Sequence, residues 1–233
     1  MKVDKYIGQS GFTSRRKAHD LVGEQRVRVN GKIATHSTKL QEGDVVTIDG
    51  EELKPKIFNP VYIAYNKPKG IICTSEKIPG NIIDAVNHPE LIYPVGRLDK
   101  ESEGLILLTN HGALNDKITH PKYEHEKEYL VTLNLPVRKQ FLNEISEGII
   151  MQGEKTKPCI ASLEPGTKRV FRIILKQGLN RQIRRMCNAY DYQVLKLQRI
   201  RVMNIRLDKL KSGEWRNLTD EELEGLFSAV SKQ

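Results

Sequence analysis

The hydrophobic period of this chain changes within its first fifty residues. Ala18, Leu21 and Val22 fall at i, i+3 and i+4, the spacing of one helical face. Ser14 stands just before them, where a hydroxyl caps a helix, and leaves Arg15, Arg16 and Lys17 in the first turn. Cations there oppose the helix dipole, which points to a task outside the helix. Arg26-Val27-Arg28-Val29 then alternates with period two, placing two valines inward and two arginines outward. Asn30-Gly31 supplies a tight turn, and a second strand is expected over residues 44–48. Residues 1–52 therefore read as a small α/β module. Residues 53–60 read as a linker, since two prolines and mixed charges flank little apolar material.

Residues 61–233 mix the two periods without a regular βαβ repeat. Strands are predicted at 61–65, 105–109, 128–133 and 171–175, with a later strand carrying Leu197, Arg199 and Arg201. Helices are predicted at 82–86, 114–119, 138–147 and 181–189. A final helix follows Thr219, whose capping box closes with Glu222. In the helix at 181–189, Ile183, Met186, Cys187 and Tyr190 form the inward stripe. The mixture predicts an α+β fold with a mixed, largely antiparallel sheet.

Composition narrows the class. A chain of 233 residues suits one large domain or a small and a medium one. No apolar run approaches the roughly 18 residues of a membrane helix, and the N-terminus does not read as a secretion signal. Cys73, Cys159 and Cys187 are odd in number and widely spaced. They suit reduced cytoplasmic thiols better than a disulfide frame or a zinc site. The net charge of +9 is unevenly spread: residues 166–211 hold 13 Lys/Arg against 2 Asp/Glu, while residues 61–165 hold 12 against 14. Such a concentrated excess is expected of a surface that meets a polyanion. No Walker motif, dinucleotide fingerprint or tight His/Cys cluster is present.

One stretch carries candidate chemistry: Gly96-Arg97-Leu98-Asp99-Lys100-Glu101-Ser102-Glu103-Gly104-Leu105. Residues two apart in an extended segment point the same way, so Arg97 and Asp99 are expected to face one cavity. The bland alternative is a surface ion pair near a turn. A carboxylate in such a cavity can act as a nucleophile, or assist loss and recapture of a leaving group. Burial alone neutralises a carboxylate, whereas a neighbouring guanidinium favours its ionised form. Arg181, Arg184 and Arg185 are the candidates, and spacing does not choose among them. Arg184 borders the apolar stripe of its helix, while Arg181 and Arg185 are placed to meet phosphate.

The Gly-Arg-Leu-Asp stretch, with Asn66-Lys67-Pro68-Lys69-Gly70, Thr109-Asn110-His111-Gly112, residues 126–131 (Glu-Lys-Glu-Tyr-Leu-Val), residues 177–187 and Gly213-Glu214-Trp215-Arg216, resembles the RsuA/RluB/RluE/RluF family of bacterial rRNA pseudouridine synthases. The segment His125–Tyr129 and the last block most resemble its RluF branch, which modifies 23S rRNA. Residues 1–52 resemble the S4 RNA-binding domain on Ser14–Ala18 and Val27–Gly31; Gln25 stands where that pattern often has glycine. The resemblance implies a synthase fold whose sheet holds the active site in a central cleft. It implies that Asp99 is the essential carboxylate, that Arg184 is its partner, and that Tyr129 stacks on the base. It implies that Arg97 fills the space left by a flipped uridine or holds the flipped phosphate, that Asn66 and Lys67 shape the cleft rim, and that Leu197 packs beneath the base. RNA backbone is then expected at Arg15, Arg16, Lys17, Arg26, Arg28 and Lys32 of the small module. In the larger one it is expected at Asn180, Arg181, Gln182, Arg185, Arg199 and Arg201. The implied partners are 23S rRNA or a large-subunit precursor, with a tRNA as second substrate. No metal or cofactor is called for, and nothing requires more than a monomer. The competing class is a non-catalytic RNA-binding, ribosome-assembly protein on a synthase-like fold. It would explain the basic segment equally well, but not an acid, an arginine and a tyrosine all of the expected types.

Overall fold

A computed structural model describes residues 1–54, 59–151 and 153–231. Contacts divide the chain into two units, Met1–Pro60 and Val61–Gln233. Four residues of the expected linker, 55–58, lie outside the described residues.

The first unit contains α1 (Val3–Gln9), α2 (Arg15–Gly23), β1 (Val27–Val29), β2 (Lys32–Ile33), β3 (Val46–Ile48) and β4 (Glu51–Glu52). Its antiparallel sheet has the order β2-β1-β3-β4. The Ser14 hydroxyl accepts from the Lys17 amide at 3.2 Å and caps α2 as the sequence predicts. Val27 turns inward onto Val3, Ile7, Ala18 and Leu21, while Arg28 is exposed. Asn30 and Gly31 both have positive φ, as a two-residue hairpin turn requires. Gln25 has φ +58, so a side chain sits in a left-handed conformation that glycine takes without steric cost.

The second unit begins with β5 (Tyr62–Lys67), α3 (Ile82–Val86), β6 (Tyr93–Val95), β7 (Glu103–Thr109) and α4 (Gly112–Thr119). It continues with β8 (Lys127–Leu133), α5 (Lys139–Glu147), β9 (Ile150–Met151), β10 (Glu154–Lys155), β11 (Ile160–Leu163) and β12 (Val170–Leu175). It ends with α6 (Gln182–Asn188), β13 (Val194–Val202), β14 (Ile205–Arg206), β15 (Trp215–Asn217) and α7 (Asp220–Ser231). The main sheet runs β11-β12-β8-β13-β7-β5-β15, with β14 on β13 and β6 on β7. All its pairings are antiparallel except β7 with β13. The mixed, largely antiparallel α+β architecture is therefore observed.

The apolar run of β7 is explained by burial on both faces. Leu105 and Leu107 pack with Leu114, Ile118, Leu226 and Val230 of α4 and α7, while Ile106 and Leu108 pack with Ile82 and Val86 of α3. A third cluster gathers Val131, Phe141, Phe171, Met186 and Cys187 under α5 and α6. The expected capping box closes α7: the Glu222 amide donates to the Thr219 hydroxyl, and the Thr219 amide to the Glu222 carboxylate.

One irregularity of the sheet makes the site. β7 pairs with β13 only at Gln198↔Glu103 and Arg199↔Gly104. Further along, β6 pairs with β7, at Val95↔Leu107 through Tyr93↔Thr109. Where β7 passes from one neighbour to the other, the sheet splits, and the loop 96–102 lies beside the opening. Gly104 sits at the last shared pair with φ +103, and a Cβ there would lie 2.3 Å from the Arg199 carbonyl oxygen.

Candidate active site

The split opens a cleft of about 420 Å³, of a size that takes a small molecule or one flipped base. Its walls include Gly96, Arg97, Asp99 and Ser102 from the loop, Lys127 and Tyr129 from β8, and Leu197 and Arg199 from β13. Asn180, Arg181 and Gln182 complete it from the start of α6.

Alternation along the loop places the acid. Leu98 is buried in the apolar cluster beneath α3, and its amide donates to the Cys73 sulfur at 3.3 Å. Arg97 and Asp99 on either side of it both line the cleft, as the two-residue spacing predicts. The Ser102 amide donates to the Asp99 carbonyl at 3.0 Å and closes a tight turn behind the acid. Tyr129 and Arg199 face each other across β8 and β13, so their side chains share one surface. Leu197 contributes an apolar patch two residues away on that surface.

The arginines are arranged differently from the expectation. Among the described residues, the cation within 4.0 Å of the Asp99 carboxylate is Arg181, at 4.0 Å. Arg184 stands behind the loop: it donates to the Glu101 carbonyl at 3.0 Å, the Ser102 hydroxyl at 3.3 Å and the Val194 carbonyl at 3.3 Å. Its Nε is buried without a partner. Burial, and then repulsion from Arg181, lower its pKa, while Asp99 and Glu101 oppose the shift. Arg184 thus fixes the backbone that presents Asp99 and does not pair with the carboxylate itself. The physical reason is local. Arg181 precedes the helix with φ +49, and this left-handed turn belongs to the segment that lines the cleft beside Asp99.

Several expected contacts are corrected. Asn66 and Lys67 are buried core residues and not cleft rim. The Asn66 amide group donates to the Leu210 carbonyl, and the Lys67 ammonium to the carbonyls of Pro68 and Ile71. Arg201 is engaged by Glu126 and Glu128, leaving it no surface role toward phosphate. Arg199 is only 4% exposed. Its Nε donates to the Leu105 carbonyl at 2.7 Å and its Nη1 to the Arg97 carbonyl at 3.4 Å. It ties the two lips of the split together, inside the cleft and not on the outer surface. Gln182 is buried and accepts the Leu179 amide, so it shapes the turn before α6. Arg185 lies outside the cleft wall and reaches the Asn180 carbonyl.

In the first unit, Arg16, Lys17, Arg28 and Lys32 are exposed. Arg15 bonds Asp4 at 2.9 Å, and Arg26 forms a two-point pair with Asp49. Arg26–Asp49 is a surface pair of the kind that contributes little, whereas Asp4 is buried, so Arg15 is the counter-ion of a buried carboxylate.

Lys127 is a cleft residue that pattern reading did not single out. It precedes Tyr129 by two on the same strand, so period two alone assigns it to the same face. Burial, and then repulsion from Arg199, lower its pKa to about 8. Ser102 and Cys73 were likewise invisible, because their roles rest on contacts from residues far along the chain. Cys187 and Cys159 carry no such chemistry: burial pushes their thiols up to about 12 and about 11. Among the described residues no group of three or more acidic, His or Cys side chains is placed to hold a metal ion. No helix of those residues is long and apolar enough to cross a membrane.

Comparison with known proteins gives the family of both units. Residues 61–189 match the family described as RNA pseudouridylate synthase, and residues 1–46 match the S4 domain. The chain is 47% identical over 232 residues to the dual-specificity RNA pseudouridine synthase RluF of Escherichia coli K12, covering 99% of this chain and 79% of that protein. It is 36% identical to the ribosomal large subunit pseudouridine synthase B of Bacillus subtilis, covering 97% of this chain and 95% of that one. A crystal structure described as a pseudouridylate synthase superposes with a TM-score of 0.71 at 31% identity, covering 97% and 99% of the two chains.

Proposed function

The chain belongs to the RNA pseudouridine synthases and carries an S4 domain before its catalytic unit, and from this we propose that it isomerises one uridine of 23S rRNA, with a tRNA uridine as a second substrate, through Asp99. The observation that carries the reading is the meeting of Asp99, Tyr129 and Leu197 in one cleft with Arg181 beside the acid.

The reaction breaks the bond from uracil N1 to the sugar, turns the base and joins C5 to the same sugar carbon. N1 gains a proton and C5 loses one, so atoms balance with no external oxidant, reductant or fuel. A uridine in folded RNA must first leave its stack, at a cost of a few kcal/mol that pocket contacts repay. Tyr129 offers the flipped base an aromatic face. Asp99 acts beside the sugar, as nucleophile or as assistant to loss and recapture of the base. Arg97, exposed at the cleft mouth with no ion pair to another described residue, is placed to fill the vacated stack.

The 23S rRNA assignment is supported by the identity to RluF and by the basic segment at 166–211. The three free thiols fit a reducing cytoplasm, and the cleft is built within one chain, so a monomer suffices. The test is pseudouridine mapping of 23S rRNA and bulk tRNA incubated with the wild type and with Asp99→Asn. New pseudouridine at one 23S position, made by the wild type alone, is expected. Tight binding without product on any RNA would leave an assembly protein instead.

A further inference from the structure

We propose that the end of the cleft lined by Lys127 and Arg199 is a subsite for one backbone phosphate of the RNA beside the flipped uridine. The inference rests on the reading of the cleft as an RNA site, and adds to it a ligand group, Lys127 as a residue that holds it, and a place inside the cleft for the contact expected of Arg199.

The first observation is an imbalance of charge. Buried cations are ordinarily paired, because a lone charge in a poorly solvated place is costly. Lys67 and Arg184 are satisfied by carbonyls and a hydroxyl instead, but three other half-buried arginines of this unit follow that rule. Arg172 pairs with Glu128 and Glu164, Arg201 with Glu126 and Glu128, and Arg216 with Glu222. Lys127 and Arg199 break it: among the described residues neither has a carboxylate within 4.0 Å. They also repel each other, and Arg199 lowers the proton affinity of Lys127.

The second observation is unused hydrogen-bonding capacity facing the cleft. Lys127 uses one of its three donors, to the His125 carbonyl at 3.1 Å. Arg199 spends Nε and Nη1 on the Leu105 and Arg97 carbonyls, and its Nη2 has no partner among the described residues. Both side chains line the cleft. Bridging the split accounts for two nitrogens of Arg199. It does not account for a second cation placed beside the first.

The register fixes where the two cations stand. Arg199 lies opposite Tyr129, and Lys127 precedes Tyr129 by two residues on the same face. Asp99 with Arg181 lines the same cleft. The cleft therefore holds, besides the acid and its arginine, two further cations that have no carboxylate within 4.0 Å among the described residues. Uracil is neutral and needs no such pair. The anion that necessarily enters with a flipped nucleotide is its phosphate, which takes several charged donors at once.

Lys127→Met tests this in the full-length chain, with Lys127→Arg as the charge-retaining control and Lys127→Gln as a second neutral variant. Binding to a 23S rRNA fragment is measured across a potassium chloride series, and pseudouridine formation is scored in the same samples. The subsite predicts that both neutral variants bind about tenfold more weakly with a salt slope shallower by about one, while Lys127→Arg keeps the wild-type slope. It predicts a raised KM with kcat within about twofold of wild type. A scan with single neutral methylphosphonates should find one linkage next to the modified uridine that weakens the wild type but not Lys127→Met. Unchanged affinity and slope in both neutral variants overturn the subsite, as does loss of kcat with unchanged affinity. Failure of the synthase reading is distinct: the wild type then binds without making pseudouridine, whatever the variants do.

Discussion

Arg181 and Arg184 show how one turn separates two charges with different work. Arg181 is exposed and stands 4.0 Å from Asp99. Such a pair contributes about 1 kcal/mol or less. Arg184 spends two hydrogen bonds on the loop behind the acid and a third on the Val194 carbonyl of β13, and bonds from a charged donor contribute about 1.5–3 kcal/mol each. Arg184→Ala should therefore cost about 2–3 kcal/mol in urea unfolding and lower kcat at least tenfold. Arg181→Ala should leave stability within about 1 kcal/mol of wild type and lower kcat only several-fold. Equal effects of the two substitutions on stability would contradict this division. The sequence shows why the distinction was hard to draw. Three arginines within five residues are equivalent by spacing, and the choice is made by the left-handed backbone at Arg181, which no periodicity reports. The site acid was legible for the opposite reason: alternation about a buried Leu98 is a local property.

At the scale of elements, the cleft depends on the brief parallel contact between β7 and β13. Gly104 makes it possible, since a Cβ would meet the Arg199 carbonyl oxygen at 2.3 Å and φ is +103. Gly104→Ala must push the strands apart or force the backbone into a strained region, and strain of that kind costs about 1–3 kcal/mol before any clash. A loss of at least about 3 kcal/mol is expected by urea unfolding, with activity lost in the protein that remains folded. Wild-type stability in this variant would mean that the split is not braced there. Strands and helices with a single apolar stripe, such as α2, α3 and α7, were readable from the sequence. The short β9, β10, β14 and β15 were not, because two or three residues carry no period and pair through distant partners. Lys67 misled for a related reason. A lysine reads as surface, yet this one is buried with its ammonium held by two carbonyls.

For the molecule as a whole, the charge count located the basic segment but not the use of each charge. Of the arginines between residues 166 and 211, Arg172 and Arg201 serve a buried acid, Arg184 and Arg199 hold the loop and the split, and Arg181 faces the site. Four of the thirteen cations in this stretch are thus scaffold, while Lys168, Arg169, Lys176, Arg206, Lys209 and Lys211 remain exposed, so the part left for RNA is smaller than the sum suggests. What survives is a cleft that presents one acid and one aromatic ring to a flipped uridine. That claim is tested most directly by release of tritium from 23S rRNA labelled at uracil C5, because C5 must lose its hydrogen when it joins the sugar. The account predicts release to solvent by the wild type, up to one equivalent per RNA, and none by Asp99→Asn bound to the same RNA. Release by Asp99→Asn at the wild-type rate would contradict it.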